Sequence, residues 1–210
     1  MASPLPQRLG IFGGSFDPVH NGHLLLAECC REQCRLDEVW FLPAAAPPHK
    51  LGHVLAPAKA RIEMLELAIS GHESFRVSPL EIERGGVSYT VETLRTISSQ
   101  QPQAALFLLM GADSLRDLPT WREPAEILRL AVPAVVRRAG SAEPDFGPLA
   151  GLVDSARLEG IKSSQVEMPQ VELSSTDLRQ RASEGRSLRY RTPRSVEKYI
   201  ETQGLYRGAE

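Results

Sequence analysis

The chain has 210 residues, with 24 Lys and Arg against 26 Asp and Glu, and a formal net charge of −2. That balance offers no basic surface to a nucleic-acid backbone. The length suits one domain able to bury a sizeable core. No apolar run approaches the ~20 residues that cross a bilayer, and residues 1–8 lack the charged-then-apolar order of a signal peptide. Cys29, Cys30 and Cys34 fall within one helical pattern rather than a disulfide framework, so a reducing cytoplasm is the expected compartment.

In chain order, Leu9, Ile11 and Phe12 form a short apolar strand that Gly13-Gly14 is expected to break. Asp17-Pro18 makes a turn, and a helix begins near Asn21, its expected N-cap, running through Leu24 to Ala27 and beyond. Glu38 to Leu42 reads as a buried strand stopped by Pro43, followed by a proline-rich loop that carries His49 and Lys50. Pro57 to Ile69 has helical spacing, with Pro57 suited to the first turn. Phe75 to Ile82 alternates like a strand near an edge. A turn at Gly85-Gly86 opens a helix over 91–98.

The second half repeats the alternation. Residues 103–110 are a continuous apolar run, the pattern of a strand buried on both faces of a parallel sheet. Gly111 and Asp113 follow it; Leu118 to Arg122 is a loop; 124–130 is a short helix and 131–136 the next strand. Residues 141–148 form a surface loop, and 149–158 read equally as helix or irregular structure. A last strand is expected over 165–173, imperfect at Pro169. Ser174-Ser175-Thr176-Asp177 then starts a helix, and a final helix over 194–202 follows Thr192 as N-cap, Pro193 as first residue and Gly204 as C-cap. Strands alternating with helices make a doubly wound, mostly parallel α/β sheet. The expected layout is a single domain over 1–210, with a core of about 8–173 and a small helical part from 174 onward.

Chemistry concentrates at the strand ends, where such sheets bind ligands. A strand, the turn Gly13-Gly14-Ser15-Phe16 and a helix start form a place for phosphate, because backbone N–H groups and the positive helix end point the same way. His20 and His23 share one face of that helix's first turn and suit charge developing on a phosphoryl group. A zinc pair is the other use of two such histidines, but no third ligand stands at catalytic spacing. Ser174, Ser175, Thr176 and Arg179 build a second helix start fit for phosphate, or an ordinary capped helix. Asp113 could accept from a ribose hydroxyl or simply form a turn. Lys50 could reach phosphate or be a solvated loop lysine, and Arg137 and Arg138 could meet phosphate or close a strand in solvent. Trp121, read alone, is a core aromatic. Gly10-x-x-Gly13-Gly14 is not the Gly-x-Gly-x-x-Gly of a dinucleotide-dependent dehydrogenase.

The stretch Gly13-Gly-Ser-Phe-Asp-Pro-Val-His20-Asn-Gly-His23 resembles the N-terminal signature of the nucleotidyltransferase superfamily marked by His-x-Gly-His, and within it the bacterial nicotinate-nucleotide adenylyltransferases. Val19 stands where that family more often has Pro. Leu173-Ser-Ser-Thr-Asp-Leu-Arg179 is similar to its C-terminal signature, with Leu173 in place of Ile, and Ser88-Tyr-Thr90 and Pro119-Thr-Trp121 match its nicotinate-pocket motifs. The resemblance spans Gly10 to about Arg179. It implies a Rossmann-like nucleotidyltransferase fold that joins ATP and nicotinate mononucleotide, with Mg²⁺ carried mainly by the ATP phosphates. It implies that His20, His23, Lys50 and Arg179 act on phosphates. Gly13 to Phe16, Gly111, Asp113 and Ser174 to Thr176 would hold ATP, and Thr90, Trp121 and Arg122 the mononucleotide, with the Trp121 ring stacked on the pyridine. Nicotinamide mononucleotide or phosphopantetheine as acceptor, and a non-catalytic nucleotide sensor, are the alternatives.

Overall fold

The computed structural model describes residues 7–48, 54–140 and 142–207. Six strands form one sheet: β1 (Arg8–Gly14), β2 (Glu38–Pro43), β3 (Phe75–Val77), β4 (Ala105–Gly111), β5 (Ala131–Arg138) and β6 (Val166–Met168). Their order is β3-β2-β1-β4-β5-β6, and every pairing is parallel. The order reverses between β1 and β4, the crevice where doubly wound sheets bind nucleotides.

Side-chain alternation explains the layers. Leu9 and Ile11 of β1 and Leu106, Leu108 and Met110 of β4 point to one face, under α4 (Thr90–Gln100), α5 (Ala112–Asp117), α6 (Pro124–Leu130) and α7 (Ser155–Lys162). Phe12, Phe107 and Leu109 point to the other, under α1 (Asn21–Gln33), α2 (Ala58–Ile69), α8 (Ser175–Ser183) and α9 (Arg194–Gln203). Gly10 belongs to this second face. A Cβ there would stand 2.8 Å from Leu36 Cδ1 and 3.1 Å from Val39 Cγ2, so the glycine leaves room for those side chains to pack over β1.

Several local expectations give way to tertiary context. Gly13 and Gly14 do not break β1, which pairs through Gly14↔Pro43. The left-handed backbone falls instead on Phe16, at φ 46°, its ring buried in the core. The strand expected over 75–82 ends at Val77, and α3 (Leu80–Arg84) follows Pro79. Proline supplies no N–H to the ladder and serves better at a helix start. The last strand shrinks to Val166–Met168, ending at Pro169 for the same reason. The first helix is capped by His20, not Asn21, and the last by Pro193, not Thr192. Residues 149–158 divide between the end of a 3₁₀ turn (Gly147–Leu149), irregular backbone over 150–154 and the start of α7. Ser174 caps α8 by accepting from Asp177 N at 3.1 Å, and Gly204 ends α9 at φ 61°. Among the described residues, no helix is long and apolar enough to cross a membrane.

Candidate active site

The two histidines stand where the loop after β1 enters α1, His20 as the N-cap and His23 in the first turn. His20 is extended, at φ −142°, and its N–H donates to His23 Nδ1 at 3.2 Å. An accepting Nδ1 leaves the proton of a neutral His23 on Nε2. The two rings stack with centroids 3.6 Å apart, and the Phe16 ring meets His23 edge-on at 5.1 Å. Gly22 makes the stack possible: a Cβ there would lie 3.1 Å from His20 Nδ1. His20 is buried and its Nδ1 has no hydrogen-bond partner among the described residues. Burial, with the positive Arg138 nearby, brings its pKa down from 6.5 to about 4. The imidazole is therefore neutral at pH 7.

The C-terminal part of the chain holds this loop one backbone group at a time. Arg179 Nη1 donates to Asp17 O at 2.7 Å, Ser175 Oγ to Pro18 O at 2.9 Å, and Thr192 Oγ1 to Val19 O at 2.8 Å. Asn21 N donates to Arg191 O at 2.9 Å. The two signatures, far apart in sequence, are thus one structure. Thr192, expected as a cap, acts as a strut because the carbonyl it meets is buried.

A cleft of about 440 Å³ runs from Gly13, Gly14 and Ser15 over Gly111 to Thr90, Trp121 and Arg122. Trp121 is therefore a cleft wall rather than a core aromatic. Thr90 is the first residue of α4, where helix geometry leaves N–H groups without intrahelical partners. Arg122 lies over the Tyr89 ring at 4.7 Å and donates to Glu92 Oε1 at 2.8 Å. Ser88 ties this end to the rest: its Oγ accepts from Ala45 N at 2.9 Å and its N–H donates to Ala46 O at 3.0 Å. Phe16, His20, His23, Arg179 and Ser174 to Thr176 gather beside the glycine turn, outside the cleft wall.

Asp113 lies on the first turn of α5, exposed, and accepts from Arg116 Nη2 at 2.6 Å. Gly111 and Ser114, rather than Asp113, line the cleft. Arg137 pairs with Glu143 at 2.5 Å, whereas Arg138 stands within electrostatic reach of His20. Lys50 and His49 lie outside the described residues.

Three further residues shape the site. Arg61, 2% exposed on α2, donates to Ser15 O at 3.0 Å, Ala44 O at 2.8 Å and Ala56 O at 3.1 Å. Asp17, 1% exposed, accepts from Tyr206 OH at 2.7 Å. Glu81 lines the cleft, buried, and accepts from Thr93 Oγ1 at 2.6 Å. Arg61 carries a sequence signal: it falls on the same helical stripe as Met64, Leu65 and Ala68, where a cation needs buried partners. For Asp17 and Tyr206, no local pattern tells of their meeting.

A parallel sheet in this order, with a glycine turn and paired histidines at its switch point, defines an α/β nucleotidyltransferase. A family model described as Cytidylyltransferase-like matches residues 11–181. A Thermomicrobium roseum protein named "Probable nicotinate-nucleotide adenylyltransferase" is 44% identical over 204 residues, 97% of this chain and 94% of that one. A Thermus thermophilus protein of the same name is 46% identical, over 96% of this chain and 100% of that one. The chain belongs to the cytidylyltransferase-like family, among its nicotinate-nucleotide adenylyltransferases. The fold matches that of the Plasmodium falciparum nicotinic acid mononucleotide adenylyltransferase complexed with NaAD, with a TM-score of 0.74 at 17% identity over 95% of this chain and 97% of that one.

Proposed function

We propose that this enzyme transfers the adenylyl group of ATP to nicotinate mononucleotide, giving nicotinate adenine dinucleotide and pyrophosphate. The observation that carries this is a cleft that joins the glycine turn at the switch point to the Thr90–Trp121–Arg122 wall. An oxygen of the mononucleotide phosphate forms the new bond to the α-phosphorus, and the bond to the pyrophosphate oxygen breaks. Both nucleophile and leaving group belong to substrates, so the protein has to position them and stabilise charge.

At the donor end, backbone N–H groups of Gly13 to Phe16 and the N-terminus of α1 face the phosphates. His23 donates from Nε2 and neutral His20 lies stacked against it, held in place by the backbone bond of His20. Arg179, Ser174, Ser175 and Thr176 at the start of α8 grip the pyrophosphate end, and Lys50 adds a cation. At the acceptor end, Trp121 stacks on the pyridine while N–H groups at Thr90 and Arg122 meet its carboxylate. No three His, Cys, Asp or Glu side chains converge as a metal cage among the described residues. A magnesium ion suits this site as part of a magnesium–ATP substrate, held by phosphate oxygens and water. The three free cysteines suit a cytoplasmic setting.

The test is turnover with ATP and, in turn, nicotinate mononucleotide, nicotinamide mononucleotide and phosphopantetheine, following pyrophosphate. Preference for the nicotinate compound is expected; equal or greater rates with another acceptor would overturn the assignment. ATP binding with no pyrophosphate released would mark a sensor.

A further inference from the structure

The buried carboxylate of Asp17 stands where four chain segments meet. Its Oδ1 accepts from Tyr206 OH at 2.7 Å, just beyond α9, and from Ala56 N at 3.3 Å, at the end of the loop that follows β2. Its backbone oxygen accepts from Arg179 Nη1 at 2.7 Å, and Oδ2 lies 3.9 Å from the same Nη1. Oδ2 itself is buried without a hydrogen-bond partner among the described residues. Arg61 supplies the second neighbouring cation, and its Nε holds Ala56 from the other side, through the carbonyl, at 3.1 Å.

We propose that Tyr206 is a positioning residue for the phosphate end of the site, acting through Asp17 on Arg179. The proposal rests on the reading that Arg179 grips phosphate. A carboxylate free to rotate could turn Oδ2 onto the guanidinium and close a full ion pair, drawing Arg179 away from substrate. The Tyr206 hydroxyl prevents this by fixing Oδ1. The guanidinium then keeps one bond, to the Asp17 carbonyl, and a second, from Nη2 to Thr176 Oγ1 at 3.1 Å, within the α8 helix start. Burial and the bond to Asp17 push the Tyr206 phenol far up, so it stays a donor throughout the working pH range. The backbone of Tyr206 is left-handed, at φ 63°, a conformation kept where surrounding contacts hold it.

The experiment compares the full chain with Tyr206→Phe, Asp17→Asn, Arg179→Lys and the Tyr206→Phe/Arg179→Lys and Tyr206→Phe/Asp17→Asn double variants. Pyrophosphate release is measured well below each melting midpoint. Tyr206→Phe is expected to lower kcat about five- to tenfold and raise the KM for ATP, while the KM for nicotinate mononucleotide stays within about twofold. In the Arg179→Lys background the same change should cost less than about twofold more, since it acts through a group already altered. Asp17→Asn has no carboxylate to close that ion pair, so adding Tyr206→Phe to it should cost less than about twofold more in kcat; this pair carries the test should Tyr206→Phe alone not fold, and a five- to tenfold further loss there would overturn the proposal. A Tyr206→Phe enzyme with kcat and ATP KM within twofold of the parent overturns the proposal. So does an undiminished loss in the Arg179→Lys background. In both cases a large loss in Arg179→Lys alone would leave its phosphate role standing. An Arg179→Lys enzyme as active as the parent removes that role, and the proposal with it.

Discussion

The guanidinium of Arg61, buried on α2, donates from Nη1 to the carbonyl of Ser15 at 3.0 Å, bracing the turn that faces phosphate. The same group holds the carbonyls of Ala44 and Ala56. Replacing it by Met keeps most of the volume but leaves buried oxygens without donors, a loss of about 3 kcal/mol. Arg61→Met should lower the melting midpoint by about 10 °C, and Arg61→Lys, which keeps the charge and some donors, by roughly half as much. Thermal denaturation followed by circular dichroism checks this; a midpoint unchanged in Arg61→Met would show that the bonds contribute nothing net.

His23 should matter through charge stabilisation more than through binding. Its Nδ1 is committed to the His20 N–H, which aims the ring. Removing one preorganised donor typically costs about 10²–10³ in rate. His23→Ala should therefore lower kcat by about that factor with both KM values little changed. A loss of less than tenfold, about 1.4 kcal/mol of barrier, would contradict the role.

The burial of His20 links stability to pH. Folded, it takes a proton only near pH 4; in the unfolded chain it does so near 6.5. Between those values the unfolded state binds more protons, so stability is unimpaired above pH 6.5 and falls on acidification toward pH 4, by up to ~3 kcal/mol. The charged group facing it is Arg138, with the His23 ring stacked alongside. Urea denaturation of the wild type and His20→Asn at several pH values should show the wild type losing ground to the variant only within this window. Parallel curves from pH 7 to 4 would mean that His20 titrates normally.

At the other end of the cleft, Trp121→Ala should raise the KM for nicotinate mononucleotide about 10–100-fold, the usual worth of stacking a base on an aromatic ring. The KM for ATP should change less than about threefold. Steady-state titration of each substrate separates the two, and equal effects on both would place the indole elsewhere.

Elements with strong local patterns were readable before folding. The apolar run of β4 is a strand because a period-free hydrophobic segment of that length suits a sheet covered on both faces. Ser174 and Gly204 mark helix ends because side-chain acceptors and left-handed glycines satisfy orphan backbone groups locally. The motifs at Gly13 to His23 and at Ser174 to Arg179 were visible as phosphate-type helix starts for the same reason. By contrast, the alternation over Phe75 to Ile82 reads as one strand, yet its end from Leu80 folds into a helix, since Pro79 and the packing of Leu80 against the α4 layer outweigh a short periodicity.

Local chemistry, carried within a few residues of chain, established an alternating α/β architecture and two anion-binding helix starts. It could not place Arg61 beneath Ser15, Tyr206 against Asp17, or the hydroxyls of Ser175 and Thr192 on the carbonyls of Pro18 and Val19. Those partners were settled by folding alone. A buried polar atom takes whichever complementary group the packed sheet and helices bring within 3 Å, however distant that group is along the chain.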